Sequence, residues 1–473
     1  MDNQRDNVTG EIENNFDMYL DDLRELVMVP SISFPGFPEQ ELKKCANAVA
    51  ALLQKRGLQN VKTLSVENAQ PYVYGDWLNA PGKPTLLLYA HYDVQPAGRD
   101  ELWLSPPFQP SIRPGPAGDR IYGRGTADDK AGIVIHTTAI SAFLSMTGKL
   151  PINVKVIIEG EEETGSAHLP LFLKEYKNLL GADAMVLTDT SNFDSGVPAL
   201  TVALRGIVGI EVEVRALTKT IHSGMWGGPV PDPAIALSKM LSTLVDGDGQ
   251  IAVPGVLDDV RPLTKSEVAE LNRIPFDEAE FRKQAGLVPG ARLLGGAQSG
   301  CLNPLVQIWR QPSLTVNAIQ ASSRKQAANI INDIAWAKVT VRLVPDMDPA
   351  KICKQLEAFL RKIAPWGVEV GVHVEAASPA WSVKPDGPVF EAAEAAMLKG
   401  YGVKPHKIGC GGSIPFAKPF SEALGGVPAL LIGVEDPHTN AHGENESLLL
   451  SDFKKACLSQ AYLFEELSKR LAR

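Results

Sequence analysis

Three short apolar runs punctuate the first half of the chain: Thr85–Ala90, Ile152–Glu159 and Ala184–Thr188. Each is too short for an ordinary helix; the first and third are apolar on nearly successive positions, and the second becomes so over Val156–Ile158. That is the pattern of strands buried on both faces in a parallel sheet. A helical stretch, Lys130–Met146, separates the first two. Earlier, Phe16, Leu20, Leu23 and Val27 recur at helical spacing until Pro30 ends them, and a second helix is expected over Glu39–Leu53. Strands alternating with helices predict an α/β layer fold: a mixed, largely parallel sheet with helices on both faces.

The pattern changes near residue 206. Ile210-Glu211-Val212-Glu213-Val214 alternates apolar and acidic, as a half-exposed strand does. A helix is expected over Asp232–Val245, a strand over Trp336–Val344, a helix over Ala350–Ile363 and a strand over Val368–Val374. Residues 246–311 are rich in Gly and Pro, poor in periodicity, and read as a partly irregular insertion. After Pro385 the first style returns, with a helix at Val389–Lys399, a strand at Val427–Gly433 and a terminal helix from Ser447. The simplest organisation is a discontinuous catalytic domain, 1–205 plus 388–473, interrupted by an inserted α+β domain, 206–387.

At 473 residues the chain is too long for one ordinary core. A net charge of −9 argues against a nucleic-acid binder, which normally presents a basic face. The longest apolar runs fall far short of a membrane span. The polar, acidic first residues contain no signal-peptide core, and the five scattered cysteines have no metal-type spacing; both favour a cytoplasmic location.

Candidate chemistry gathers where the apolar runs end. His91-Tyr92-Asp93 follows the first, and imidazole is the commonest metal ligand, usually with a carboxylate behind it to fix its tautomer. Glu159-Gly160-Glu161-Glu162-Glu163 ends the second. A solvated acidic loop is the plain alternative, but like charges crowded at a strand end are costly unless cations or protons relieve them. Asp189 follows the third. Asp128 and Asp129 precede the Lys130 helix, where either could simply cap it. His438 and His442 lie four apart after the last apolar run. Taken together, His91, Asp128, Glu163, Asp189 and His442 suit two Zn²⁺-class ions sharing one bridging carboxylate, and Glu162 is the candidate base for a bound water.

The ordered set HYDVQP, GRGTADDK, EGEEETGS, LTD, HSGMWGG, VRLVP, GGSIP and AHGENE resembles the di-zinc metallopeptidases. These include cytosolic nonspecific dipeptidase, carnosinase, carboxypeptidase G and acetylornithine deacetylase, and the dipeptidase–carnosinase branch is nearest. The resemblance implies that His91, Asp128 and Asp189 hold one metal and Asp128, Glu163 and His442 the other. It makes Asp93 the orienter of His91 and Glu162 the general base for a water bridging two divalent ions, Zn²⁺ with Mn²⁺ as the alternative. It also implies a cis Asp128–Asp129 peptide. His222 matches a residue that stabilises the oxyanion and that, in dimeric members, comes from the partner's lid. Residues 206–387 would then form a lid and dimerisation domain, and the chain a homodimer. Arg342 matches an arginine that binds the substrate carboxylate, and Gly411, Gly412 and Ser413 match a pocket loop.

In the nearest branch an acidic residue often precedes that loop, where it can meet a substrate ammonium; Cys410 stands here. Asp189, rather than Glu, resembles the aminopeptidase and dipeptidase members. The expectation is hydrolysis of dipeptides or short peptides. The rivals are a deacylase acting on N-acyl or N-carbamoyl amino acids, separable by a substrate panel, and a non-catalytic binding protein, which would have lost ligands or the base.

Overall fold

The computed structural model describes residues 2–294, 303–412 and 417–471. They divide into two units, one of Met1–Val202, Lys384–Ile408 and Phe416–Arg473, the other of Ala203–Val383 and Gly409–Pro415.

The first unit is built on a mixed sheet. Asn153–Glu159, Thr85–His91, Ala184–Leu187 and Ala429–Leu431 lie side by side and parallel. Tyr72–Trp77 and Gln59–Leu64 extend the sheet antiparallel beyond Asn153–Glu159. Six of the seven residues of Thr85–His91 are buried, as the unbroken apolar run predicts. Helices Glu39–Lys55 and Lys130–Thr147 pack on the sheet, and the latter is buried over most of its length. A helix Asp2–Asn14, not anticipated, precedes Phe16–Val27. The terminal helix starts at Leu450 rather than Ser447, because Ser447–Leu449 is drawn into a small antiparallel sheet against Gly118–Tyr122.

The second unit has a four-stranded antiparallel sheet in the order Ser313–Gln320, Ile334–Leu343, Gly206–Arg215, Glu369–Ser378. Val208, Ile210, Val212 and Val214 form the buried face, together with Ala335, Val339 and Val341 from the neighbouring strand. Helices Pro233–Ser242 and Pro349–Ile363 cover it with Leu237, Met240, Leu356 and Leu360. Both helices start the same way: Asp232 and Asp348 accept hydrogen bonds from Ala234 N (2.8 Å) and Ala350 N (2.9 Å), and a proline takes the first helical position. The stretch 246–311 is less irregular than expected. It contains helices Lys265–Leu271, Glu278–Gln284 and Pro304–Arg310, each of seven residues and too brief to show a period. Among the described residues no helix is long and apolar enough to cross a membrane.

Candidate metal centre

Parallel strands end on a common edge, and open α/β sheets carry their chemistry there. His91 closes its strand in register with Glu159, the last residue of the neighbouring one. Asp189 lies two residues beyond Ala184–Leu187. The segment holding His442 follows Ala429–Leu431. Asp128 sits just before the Lys130 helix. Asp129 is the N-cap residue but makes no side-chain cap; its carboxylate instead accepts from Thr188 Oγ1 at 3.0 Å, and the Asp128–Asp129 peptide is cis.

Two groups of ligand-type atoms result: His91, Glu162 and Asp189, and Asp128, Glu163 and His442, with the atoms of each group within 4.8 Å of one another. Asp128 links them. Its Oδ1 is 3.1 Å from His91 Nε2 and its Oδ2 3.0 Å from His442 Nε2. Glu163 Oε2 lies 3.3 Å from His442 Nε2, and Asp189 Oδ1 4.0 Å from His91 Nε2. His91 Nε2 is buried and forms no hydrogen bond. Its Nδ1 lies 3.0 Å from the Asp93 carbonyl oxygen and 3.5 Å from the Asp93 carboxylate. With Nδ1 donating to that carbonyl, Nε2 presents a lone pair to the carboxylates.

The electrostatics agree with that donor set. Burial pushes Glu162 and Asp189 well above the usual carboxylate range, and neighbouring carboxylates (Glu163 beside Glu162, Glu162 beside Asp189) push further. Burial also raises Glu163, with help from Asp128. Burial opposes charge on Asp128 too, but the hydrogen bond of His442 and the nearness of the His91 ring outweigh it and hold the carboxyl below its ordinary value. The same contacts lift His442 to about 11. This is an anionic cluster short of positive charge, around a buried imidazole nitrogen without a hydrogen bond. Divalent cations satisfy both needs, so the residues fit a metal centre.

Two further carboxylates hold the loops in place. Asp93 accepts from Glu162 N (3.1 Å) and Glu163 N (3.0 Å). Glu446, fully buried, accepts from Gly125 N (2.9 Å), Ala127 N (3.0 Å), Asp128 N (3.3 Å) and Arg124 Nη1 (2.8 Å). Arg124 Nη2 in turn donates to Pro96 O and Gly443 O, so one ion pair ties together the loops of His91, Asp128 and His442. The sequence pattern does not single out Glu446 or Arg124, although both lie inside the GRGTADDK and AHGENE motifs; a buried charge has no signature until its partner, about three hundred residues away, is known.

The remaining candidates belong to the second unit. His222 is exposed and caps the short helix Ser223–Trp226, its Nδ1 accepting from Gly224 N at 3.0 Å. Arg342 is half-buried on the outer face of Ile334–Leu343, opposite Ser313. Gly411 and Gly412 are held by Arg205, whose Nε donates to Gly411 O (2.9 Å) and whose backbone N donates to Gly412 O (3.2 Å). Ser413 lies outside the described residues.

A model of peptidase family M20/M25/M40 matches residues 87–466, which span every residue of both ligand groups. The chain belongs to that family. Among M20 relatives, the cysteinylglycine-S-conjugate dipeptidase of Corynebacterium striatum is 30% identical over 421 residues, covering 89% of each chain. The crystal structure of human carnosine dipeptidase 1 superposes with a TM-score of 0.85 at 28% identity, over 98% of this chain and 99% of that one. An M20 family metallo-carboxypeptidase from Sulfolobus solfataricus gives a TM-score of 0.82 at 30% identity, over 95% and 99%.

Proposed function

We propose that the chain is a metal-dependent dipeptidase. The observation that carries this is the Asp128 carboxylate, with one oxygen on His91 and the other on His442, between two clusters of ligand-type side chains. His91, Asp128 and Asp189 would hold one divalent ion, and Asp128, Glu163 and His442 the other, with Zn²⁺ as the ion and Mn²⁺ as the alternative. Ions so held polarise a carbonyl and lower the pKa of water. Glu162, half-buried and raised in pKa, takes the proton of the attacking water and returns it to the leaving amine. Asp93 fixes the Glu162–Glu163 backbone while orienting His91. Arg342 is assigned to the substrate carboxylate and the Gly411–Ser413 loop to the pocket wall. The second unit is assigned to a lid through which a homodimer forms, with His222 of the partner subunit meeting the oxyanion. The scattered cysteines and acidic composition support a cytoplasmic location.

The test is a panel of dipeptides, N-acetyl and N-carbamoyl amino acids assayed on protein reconstituted with Zn²⁺ or Mn²⁺. Dipeptides are expected to be turned over fastest. The likeness to a metallo-carboxypeptidase favours a second reading, cleavage of N-acyl amino acids, and faster turnover of those substrates would replace the first.

A further inference from the structure

The segment from Val434 to Glu446 carries four acidic side chains. Three have an arginine: Asp436 pairs with Arg120, Glu444 with Arg99 and Glu446 with Arg124, each at 2.8 Å. Glu435 pairs with no Lys or Arg among the described residues. Its hydrogen bond comes from Ser191 Oγ, at 2.9 Å.

The backbone shows where Glu435 lies. Ser191 and Glu435 form a parallel β-bridge, and Asn192 N donates to Glu435 O at 2.7 Å. Asp189 and Ser191 are half-buried while Thr190 between them is buried; Glu435 is half-buried between buried Val434 and Asp436. Glu435 therefore lies across a bridge from Ser191, two residues beyond the candidate ligand Asp189, and is half-buried as Asp189 is. Asp128 and His442 are close enough for their charges to act on it. It belongs to neither ligand group.

A dipeptide must bring a cation to this neighbourhood. Its α-nitrogen is two bonds from the scissile carbonyl carbon, about 2.5 Å away. Whatever places that carbonyl at the metal centre places an ammonium beside it. The centre's own carboxylates are committed to metal. Glu435 is an acid beside the Asp189 segment, held by a neutral hydroxyl and paired with no Lys or Arg among the described residues.

We propose that Glu435 receives the free α-ammonium of the substrate and makes the enzyme prefer dipeptides to N-acylated amino acids. The proposal rests on the dipeptidase reading.

The test compares Ala-Gly with its des-amino analogue propionyl-glycine on metal-loaded wild type, Glu435→Gln and Glu435→Asp. Wild type is expected to favour Ala-Gly strongly. Loss of a partly desolvated ammonium–carboxylate pair should lower kcat/KM for Ala-Gly about 30-fold in Glu435→Gln, mainly through KM. Propionyl-glycine should change less than about threefold, and bound metal should not change. Glu435→Asp, which keeps the charge one methylene back, should recover part of the preference and covers the case in which the Gln variant fails to fold. An equal fall for both substrates, or a lost metal ion, would overturn the proposal, because Glu435 would then support the metal centre. So would a wild type indifferent to the amino group. If dipeptides are not hydrolysed at all while N-acyl amino acids are, the dipeptidase reading itself fails.

Discussion

Strand Thr85–His91 buries six of its seven residues, whereas Gly206–Arg215 alternates, with Val212 and Val214 inward and Glu211 and Glu213 turned outward. The first lies in a parallel sheet, the second in an antiparallel sheet with one open face. A polar residue therefore means different things in the two. On the open face, Glu211 or Glu213 costs little to place, so its presence needs no function. At the end of a buried strand, His91 and Glu159 are fully buried, and burying such groups is costly unless something compensates. The parallel region thus advertises its chemistry, and the antiparallel one hides whatever chemistry it has.

Substitutions should reproduce that contrast. The largest effect is expected for Glu162→Gln, which should keep both ions by elemental analysis yet lose about 10³-fold in kcat. Retained turnover would remove Glu162 from its role as base. Next is Glu446→Gln, which meets no ligand side chain but leaves Arg124 and three backbone N–H groups, that of Asp128 among them, with a poorer acceptor. Metal affinity should fall about 10–100-fold in a chelator competition; unchanged affinity would show that the loops hold themselves.

The pH dependence has a definite sign. Glu162 and Asp189 are raised far above ordinary carboxylates and His442 to about 11, so the metal-free site holds protons near neutrality. Ligands must shed protons to bind, so affinity should rise with pH, about tenfold per unit for each proton released. Calorimetry in buffers of different ionisation enthalpy counts those protons; zero release would contradict the crowding. The smallest effects belong to the open sheet. Lys338→Ala breaks an exposed pair with Glu375 (2.6 Å) and should cost less than about 0.5 kcal/mol, while Val339→Ala beside it, fully buried, should cost about 2 kcal/mol by denaturant melt.

The same contrast governs how much of the molecule is legible in its amino-acid sequence. The parallel strands are legible because they are short and mostly apolar, and the ligand set because acids and histidines punctuate their ends. Strands such as Gln59–Leu64, whose exposed residues outnumber buried ones, leave no pattern. Ser447–Leu449 reads as helix because its local pattern continues into one, and only pairing with Gly118–Tyr122 makes it a strand. Glu435 looks like one more loop acid; that it pairs with no arginine among the described residues shows only once Arg99, Arg120 and Arg124 have been seen to take its neighbours.

Glu446 grips the Asp128 backbone from 318 residues away. During synthesis, then, His91, Glu162 and Asp189 leave the ribosome long before the segment that braces Asp128 and supplies His442. A nascent or prematurely terminated chain carries the first ligand group but lacks His442 of the second. An enzyme built to cut peptide bonds is thereby unarmed until nearly its whole length has been made.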